Sequence, residues 1–363
     1  MKKFIYIAAA LVAVSACSKV ETVQTPEHQI SFQVASYLPQ TRVQGTNFKA
    51  ECEYFFTKAY YNGATYIDNV KVVENNGVWA PVGSPYYWPR TGTVNFFSYA
   101  SKNDLPGDEL TVGNASFEIV GHEVAENDNI MIADAVYGAG RTDHNADGTQ
   151  ITDDLKEGTS DSGYSGVPTL FRHLLSQVSF KLGLAAGGDH TGTNYVATVT
   201  SAKVVKVASK GDLSLLNSGS GSSLTLSPWT PASDGTQVGW TATDSTTLNL
   251  DTPTLTLAED ETTSEPVVVL DFYSVLPQTL TNSVEIQITF NLDSKHDDVV
   301  YLHEENITVK AKLNSIDIPS WNMNQRIIYT VTIDPVTEAI SFDPAVLPWV
   351  EATAQTLNIP VED

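Results

Sequence analysis

Cys17 is the residue whose surroundings point most directly to a chemical modification. It follows Val14-Ser15-Ala16 and ends the apolar segment 4–16, which is preceded by Lys2 and Lys3. Small residues directly before a cysteine are typical of the bacterial lipobox, in which the thiol is acylated and the leader is removed. As a helix, residues 4–16 would span about 20 Å, short of a hydrocarbon core of about 30 Å. We therefore expect residues 1–16 to be a signal peptide. A permanent membrane helix, or a signal cleaved without lipid, is the alternative.

A second candidate for chemistry is an oxygen-rich loop in the middle of the chain. Asp143, Asn145, Asp147, Thr149 and Asp154 occupy positions 1, 3, 5, 7 and 12 of a D-x-N-x-D-G pattern. Ca²⁺ takes six to eight oxygen ligands, and loops with this spacing supply them around a glycine turn. The last ligand is the shorter Asp, and no flanking helices are predicted. The alternative is a solvated turn.

Aromatic residues offer a third kind of surface. Trp79, Tyr86, Tyr87 and Trp88 could stack against sugar rings, because flat aromatic faces combine a large apolar area with polar edges. The alternative is that the same side chains pack in the core of a β-sandwich.

Catalytic patterns are missing from the sequence. The seven histidines show no metal-ligand spacing. No nucleophile elbow, zincin or P-loop motif is present. Cys52 lies between Glu51 and Glu53, whose negative charges disfavour a thiolate. We therefore predict that the protein is not an enzyme and needs no cofactor, apart from the candidate structural calcium.

Charge excludes one class of partner. The chain has a net charge of −23, and removing Lys2 and Lys3 leaves 18 basic residues against 43 acidic ones, a net charge of −25. A surface this acidic repels nucleic acid. If Cys17 carries lipid, Cys52 has no disulfide partner, so stability must come from buried apolar area.

The segments that would position these residues are strands. Residues 17–27 are short and polar and are expected to be a tether between lipid and body. Beyond them, runs that alternate apolar and polar residues and are rich in Val, Ile, Thr, Tyr and Phe predict β-structure. These runs are residues 30–34, 70–73, 93–98, 177–184, 195–207, 283–292, 307–313 and 327–333. The segment 169–175 could form one or two helical turns.

Polar stretches divide the chain. Residues 123–166 are dense in Asp, Asn, Gly, Ser and Thr, around an apolar island at 130–133. Residues 215–230 are expected to form a long hairpin loop. We predict an all-β protein with two β-sandwich domains, residues 28–170 and 171–363.

Several motifs, in order along nearly the whole chain, resemble the fimbrillin-like (Mfa-like) lipoproteins of Bacteroidetes, a family that includes subunits of the type V pilus. The matching segments are the lipobox at 14–17, Gln-Thr-Arg-Val at 40–43, Tyr-Trp-Pro at 87–89 with 94–99, Asp-Asn-Ile-Met-Ile-Ala at 128–133, residues 170–180, Trp-Asn-Met-Asn-Gln-Arg and its strand at 321–333, and 340–342 with Trp349.

The resemblance implies a fold and an assembly route. The fold is two tandem transthyretin-like β-sandwich domains. The lipoprotein reaches the outer membrane, where a protease cuts after an arginine near the mature N-terminus. The first strand then leaves, and its groove accepts a strand from another subunit. Localisation is accordingly expected to be lipid-anchored in the outer membrane, on the cell surface or in a fimbrium.

The sequence contains residues that fit this route. Cleavage between Arg42 and Val43 would free the strand that contains Ile30, Phe32 and Val34 and open an edge groove. Burial is worth about 1.5–3 kcal/mol per side chain, so three vacated sites amount to roughly 5–9 kcal/mol. An incoming strand would recover that energy and the ladder hydrogen bonds. The alternative for Arg42 is an ordinary surface arginine.

The candidate donor strand is the C-terminal tail, where Leu357, Ile359 and Val361 alternate with other residues. Pro360 cannot donate to a ladder and suits an edge position better than a central one. The alternative is that the tail completes its own sandwich.

Two functional hypotheses follow. The first is a pilus or adhesion subunit whose partners are other pilus subunits, the outer membrane through lipid, and a ligand on a host or bacterial surface. The second is a surface lipoprotein that binds glycans on one face of a sandwich.

Overall fold

The fold is built almost entirely from strands, in agreement with the alternating sequence pattern. The computed structural model describes residues 29–36, 48–89, 92–103, 105, 110–113, 116–133, 136–139, 166–186, 190–216, 239–281, 283–314, 318–337 and 339–348. No helix in these ranges is long and apolar enough to cross a membrane.

Within the described residues, the first half of the chain contributes one short helix and ten strands. They are β1 Phe32–Ser36, α1 Phe48–Glu51, β2 Tyr54–Tyr61, β3 Ala64–Asn75, β4 Val78–Pro81, β5 Val94–Ser101, β6 Leu110–Val112, β7 Ser116–Glu123, β8 Ile130–Ala133, β9 Val136–Ala139 and β10 Val167–His173.

The described part of the second half contributes eleven strands. They are β11 Ser176–Leu184, β12 Asn194–Leu216, β13 Gly239–Asn249, β14 Thr254–Leu257, β15 Val267–Val275, β16 Gln278–Thr279, β17 Glu285–His296, β18 Val299–Lys312, β19 Ser320–Trp321, β20 Gln325–Asp334 and β21 Ala339–Pro348.

Local sequence explains the hairpins of the first half. Asn62-Gly63 joins β2 to β3 and Asn76-Gly77 joins β3 to β4, each with positive φ at both residues. Two central residues with positive φ form the type I′ turn, whose twist matches that of the flanking strands. The first sheet therefore begins as a tight meander.

That sheet closes on itself. Its order is β2-β3-β4-β1-β10-β8-β5-β9, and β2 also pairs with β5. Segment 169–175, for which a helix was the alternative, is mostly strand β10. It is a strand because Arg172 and His173 pair with Ile132 and Met131 of β8.

The second half forms a sandwich. A four-stranded sheet, β15-β11-β20-β21, faces a sheet that contains β18, β17 and β12. The core between them is apolar and includes Phe180 stacked on Tyr329, with ring centroids 5.0 Å apart. Burial raises the pKa of Tyr329 to about 12, and its hydroxyl oxygen accepts a hydrogen bond from Trp321 Nε1 at 2.9 Å. The prediction of an all-β sandwich fold is confirmed.

The long strand β12 connects the two halves. Its C-terminal part pairs with β7, from Lys210 opposite Glu123 to Leu216 opposite Ser116, so β6 and β7 join the sheet of the second half. A separate apolar cluster, including Tyr99, Ile119, Leu175, Leu213 and Met323, fills the junction between the halves. The division into domains 28–170 and 171–363 stays a prediction. The expected hairpin loop at 215–230 lies between the antiparallel strands β12 and β13, mostly outside the described residues.

Candidate functional site

The leading strand β1 is held mainly by β10. The two strands run in parallel, from Phe32 opposite Val167 to Ser36 opposite Phe171. The backbone N–H of Val167 donates to the carbonyl oxygen of Ser31 at 2.7 Å. Because α1 and the strands β2 to β9 all lie between β1 and β10 in the chain, this pairing is long-range.

The other side of β1 is held more lightly. Within the described residues, β1 meets β4 through the single pair Phe32–Trp79. Just before the strand, the N–H of Ile30 donates to the carbonyl oxygen of Tyr86 at 2.8 Å. Removing β1 would therefore leave a slot between β10 and β4, and not the open edge groove expected from the sequence.

Apolar side chains fix β1 in this slot. Ile30 and Phe32 are each 2% exposed, whereas Val34 is only partly buried. The Phe32 ring meets Phe55 edge-on at 5.3 Å and Phe96 at 5.8 Å. Two fully buried side chains account for about 3–6 kcal/mol, and Val34 adds less.

Gly166 lets β1 approach β10 closely. Its φ is +122°, and a Cβ placed there would lie 2.7–2.8 Å from three backbone atoms of Phe32. Real Cβ atoms are not found at such distances from backbone, and L side chains rarely adopt this φ. The residue must be glycine for β1 to be in place.

We predict that Gly166→Ala destabilises the intact chain by about 1–3 kcal/mol, the usual cost of a strained backbone position. Gly63→Ala is the matched control, because Gly63 also has positive φ (+79°) but has no atom within 4 Å of the added Cβ. The measurement is the urea midpoint of each variant. Equal losses in the two variants would show that φ alone matters and that β1 does not press on Gly166.

The helix α1 packs beside the leading strand. Its Phe48 is buried and stacks on Phe171 of β10, with ring centroids 4.4 Å apart. Phe48 also meets Trp79 at 5.4 Å and Phe55 at 6.0 Å. Because Phe55 also contacts Phe32, α1 and β1 share one aromatic cluster.

A buried contact between a carboxyl group and an imidazole ring helps to hold α1 in place. Glu51 and His173 have side chains that are 1% exposed, and Glu51 Oε2 lies 3.1 Å from His173 Nε2. His173 Nδ1 lies 2.7 Å from Asn129 Oδ1, within hydrogen-bonding distance. A buried polar group costs free energy unless it has a polar neighbour. His173 is therefore buried beside a carboxyl group that the sequence did not suggest as its partner.

The segments that carried the family resemblance meet around this pair. The N–H of His173 donates to Asn324 Oδ1 at 3.3 Å, and the N–H of Asn324 donates to the carbonyl oxygen of Leu175 at 3.0 Å. The Ser176 hydroxyl donates to the carbonyl oxygen of Asn322 at 2.5 Å. The two halves of the molecule are thus joined by residues 128–133, 170–180 and 321–333.

A polar cleft of about 360 Å³ opens at the same junction. Arg326 Nε donates to Gln177 Oε1 at 2.7 Å, and the guanidinium carbon lies 4.7 Å from the centroid of the Phe272 ring. Packing and hydrogen bonding therefore fix one wall of the cleft. The lining residues are Lys102, Glu126, Asn127, Asp128, Asn129, Gln177, Asp271, Phe272 and Arg326.

The four aromatic residues Trp79, Tyr86, Tyr87 and Trp88 do not form an open platform. Trp79 and Trp88 are 9% and 5% exposed and pack in the core of the first half, where Trp88 meets Phe96 at 5.7 Å. Only Tyr86 and Tyr87 are partly exposed. The flat faces needed to stack a sugar are covered, because these indoles fill the interior beside β1.

Several predicted site residues lie outside the described ranges. They are Cys17, Arg42, Val43, Leu357, Ile359, Val361 and the calcium-loop residues Asp143, Asn145, Asp147, Thr149 and Asp154. Their roles stay predictions. Within the described residues, no group of three or more His, Cys, Asp or Glu side chains could hold a metal ion.

Comparisons with known proteins give a consistent result. The sequence profile of the fimbrillin-like family matches residues 41–349. The chain is similar to a solved fimbrial protein from Bacteroides vulgatus ATCC 8482, with 14% identity over 88% of this chain and 99% of that chain and a TM-score of 0.54. It also matches the fimbrial anchor protein Mfa2 from Porphyromonas gingivalis, with 10% identity over 88% and 97% of the two chains and a TM-score of 0.35. No curated protein sequence matches. At these identities, the similarity to the Bacteroides vulgatus protein shows the fold alone.

Proposed function

The chain belongs to the fimbrillin-like family, and from that membership we propose that it is an exported surface lipoprotein that is assembled into a pilus by protease-triggered strand exchange. The observation that carries this proposal is the position of β1, the first described strand of the chain, between β10 and β4. The protein's role is structural, and its main partners are other pilus subunits.

The slot of β1 has the properties that strand replacement requires. Five consecutive backbone pairs with β10 can be reproduced by any extended segment, because main-chain groups carry no sequence information. Deep sites for Ile30 and Phe32 would give selectivity for apolar side chains at alternate positions. An empty slot would expose both strand edges and an aromatic cluster, so release and refilling must be coupled.

The chain between β1 and α1 is the place for cleavage. β1 ends at Ser36, α1 begins at Phe48, and Arg42 lies midway between them. A cut after Arg42 releases β1 on one side. On the other side, Phe48 and Glu51 keep the new N-terminus attached to β10.

Export and strand donation depend on residues outside the described ranges. Lipid on Cys17 would anchor the precursor in the outer membrane, since acyl chains contribute about 0.8 kcal/mol per buried CH₂. Leu357, Ile359 and Val361 have the alternation needed to fill the slot of a neighbouring subunit.

The test is limited trypsin treatment of the purified precursor. We expect cleavage at Arg42, release of the leading segment and a ladder of SDS-resistant oligomers. An excess of a synthetic peptide spanning residues 29–36 should suppress the ladder by occupying the slot. Cleaved protein that keeps its leading segment and stays monomeric would contradict the proposal.

A further inference from the structure

The polar cleft at the junction of the two halves has a floor of buried polar side chains. Asp128, Asn129 and Arg326 line the cleft and are only 2%, 6% and 8% exposed. Buried polar groups cost free energy unless they are hydrogen-bonded. Three of them at the bottom of one open cleft therefore require structural partners, a ligand, or both.

A network of hydrogen bonds holds this floor in place. Arg326 Nε donates to Gln177 Oε1 at 2.7 Å, and Gln177 Nε2 donates to Ser274 Oγ at 3.4 Å. The Ser274 hydroxyl in turn donates to the carbonyl oxygen of Asp128 at 2.7 Å. The loop that carries Asp128 is therefore connected through β15 to β11 and β20 of the second half. A floor that is already ordered loses little side-chain freedom when a ligand binds.

The Asp128 side chain has different surroundings at its two oxygens. Oδ2 lies 2.6 Å from His122 Nε2, within hydrogen-bonding distance. Oδ1 is buried and has no hydrogen-bond partner among the residues that the structure describes. Unpaired polar atoms are rare in protein interiors, because each one costs free energy. A hydroxyl group of a ligand in the cleft would supply the donor that Oδ1 needs.

The residues around the cleft indicate the class of ligand. Its exposed rim is formed by Lys102, Glu126, Asn127 and Asp271. Two basic and three acidic residues line the whole cleft, so neither sign of charge dominates. A hydroxyl group both donates and accepts hydrogen bonds. A neutral ligand with many hydroxyl groups can therefore pair with the basic, acidic and amide side chains at the same time.

We propose that this cleft binds a neutral saccharide unit, held by hydrogen bonds with Asp128, Arg326 and the rim. The volume of about 360 Å³ lies within the range of about 300–1,000 Å³ that is typical of small-molecule sites. The guanidinium group of Arg326 covers one face of the Phe272 ring, so hydrogen bonding and not stacking would dominate recognition. The site is distinct from the aromatic surface around Trp79 that the sequence suggested.

One cleft would bind weakly, and a polymer would bind strongly. A ligand with about a dozen non-hydrogen atoms is expected to have a dissociation constant on the order of 1 mM. Linking many copies can raise the overall affinity by about 10²–10⁴-fold. A pilus built from this subunit would thus adhere to a surface coated with glycans. Only this consequence rests on the proposed function.

The test is an NMR titration of the uncleaved precursor with the methyl glycosides of glucose, galactose and mannose. Each is raised to about 50 mM, well above the expected dissociation constant. We expect at least one glycoside to shift the backbone amide signals of Asp128, Asn129 and Arg326 in a saturable way. Free glycine is the comparison probe, because a zwitterion could also pair with basic and acidic side chains.

Variants locate the binding site. Asp128→Asn should weaken binding of that glycoside by about tenfold, because it replaces a charged acceptor. Asn127→Ala acts at the exposed rim, where substitutions rarely affect folding, and should weaken binding by about three- to tenfold. Asn103→Ala is the matched control, because Asn103 is also exposed but does not line the cleft. It should leave binding unchanged.

Three results would overturn the inference. They are the absence of shifts with all three glycosides, shifts with glycine alone, and equal weakening by Asn127→Ala and Asn103→Ala. A further measurement identifies the source of the sugar. Retention of the protein on an immobilised polysaccharide of the bound sugar indicates a glycan chain, and binding of the glycoside without retention indicates a free sugar.

The inference and the proposed function can fail separately. The titration uses uncleaved protein, so it does not depend on polymerisation. A precursor that binds a glycoside but forms no ladder after trypsin treatment would leave the saccharide site standing while the proposed function fails. A precursor that forms the ladder but shifts with no glycoside would do the reverse.

Discussion

Arg42→Ala should abolish assembly, leaving the protein as a monomer that keeps its leading strand. The substitution removes the side chain that a trypsin-like protease recognises, and it lies between β1 and α1 without belonging to either. β1 would then stay covalently linked to its own chain and continue to occupy its slot. A strand from another molecule lacks that link and could not replace it. The measurement is the amount of SDS-resistant ladder on cells that express the variant.

The matched control for that prediction is Arg141→Ala. Arg141 lies in the polar segment 123–166 and has the same side chain, but cleavage there would not free β1. We expect wild-type ladders from this variant. Ladders of wild-type intensity from Arg42→Ala would show either that processing occurs elsewhere or that β1 is not the element displaced.

Glu51→Ala should cost about 1–3 kcal/mol of folding free energy, the usual cost of leaving a buried polar group without its partner. The loss is large because His173 would keep its imidazole in a site that is 1% exposed, without the carboxylate 3.1 Å away. α1 would lose its polar contact with β10 and would keep the stacking of Phe48 on Phe171. Chemical denaturation gives the free energy of unfolding.

Two variants separate pairing from simple loss of charge. Glu51→Gln keeps a polar group of the same length and should lose less than Glu51→Ala. Glu53→Ala removes a carboxylate that is exposed, although it lies only two positions further along the chain. Surface substitutions of this kind usually change stability by about 0.5 kcal/mol or less. If Glu51→Ala were as mild as Glu53→Ala, the pair would not anchor α1.

Much of the strand content could be predicted from the sequence. In β17, for example, Ile286, Ile288, Phe290 and Leu292 face the core in strict alternation, as a half-buried strand requires. The tight turns also depend on local sequence, since Asn62-Gly63 and Asn76-Gly77 are typical of two-residue hairpin loops. Such features depend on neighbouring residues only.

The setting of β1 could not be predicted in the same way. Whether a leading strand lies at an edge or between two strands depends on β10, which is remote in the sequence, and periodicity carries no information about such partners. Gly166 and Glu51 were missed for the same reason. A glycine at the end of a polar stretch and a glutamate beside a cysteine become informative only when Phe32 and His173 are beside them.

The aromatic residues illustrate an ambiguity of composition. Trp79 and Trp88 are equally suited to a sugar platform and to a core, because the same apolar faces serve both. Burial distinguished the two, and the core interpretation is the correct one for these tryptophans. The family motifs, in contrast, marked the junction between the halves, where Asn129, His173 and Asn324 meet.

The most direct test of strand replacement is the N-terminal residue of the subunit recovered from SDS-resistant polymers on intact cells. Strand exchange predicts Val43, with residues 17–42 gone from every polymerised copy. Polymers whose subunits still begin at lipid-modified Cys17 would contradict it, because their slots would still be filled by their own leading strands.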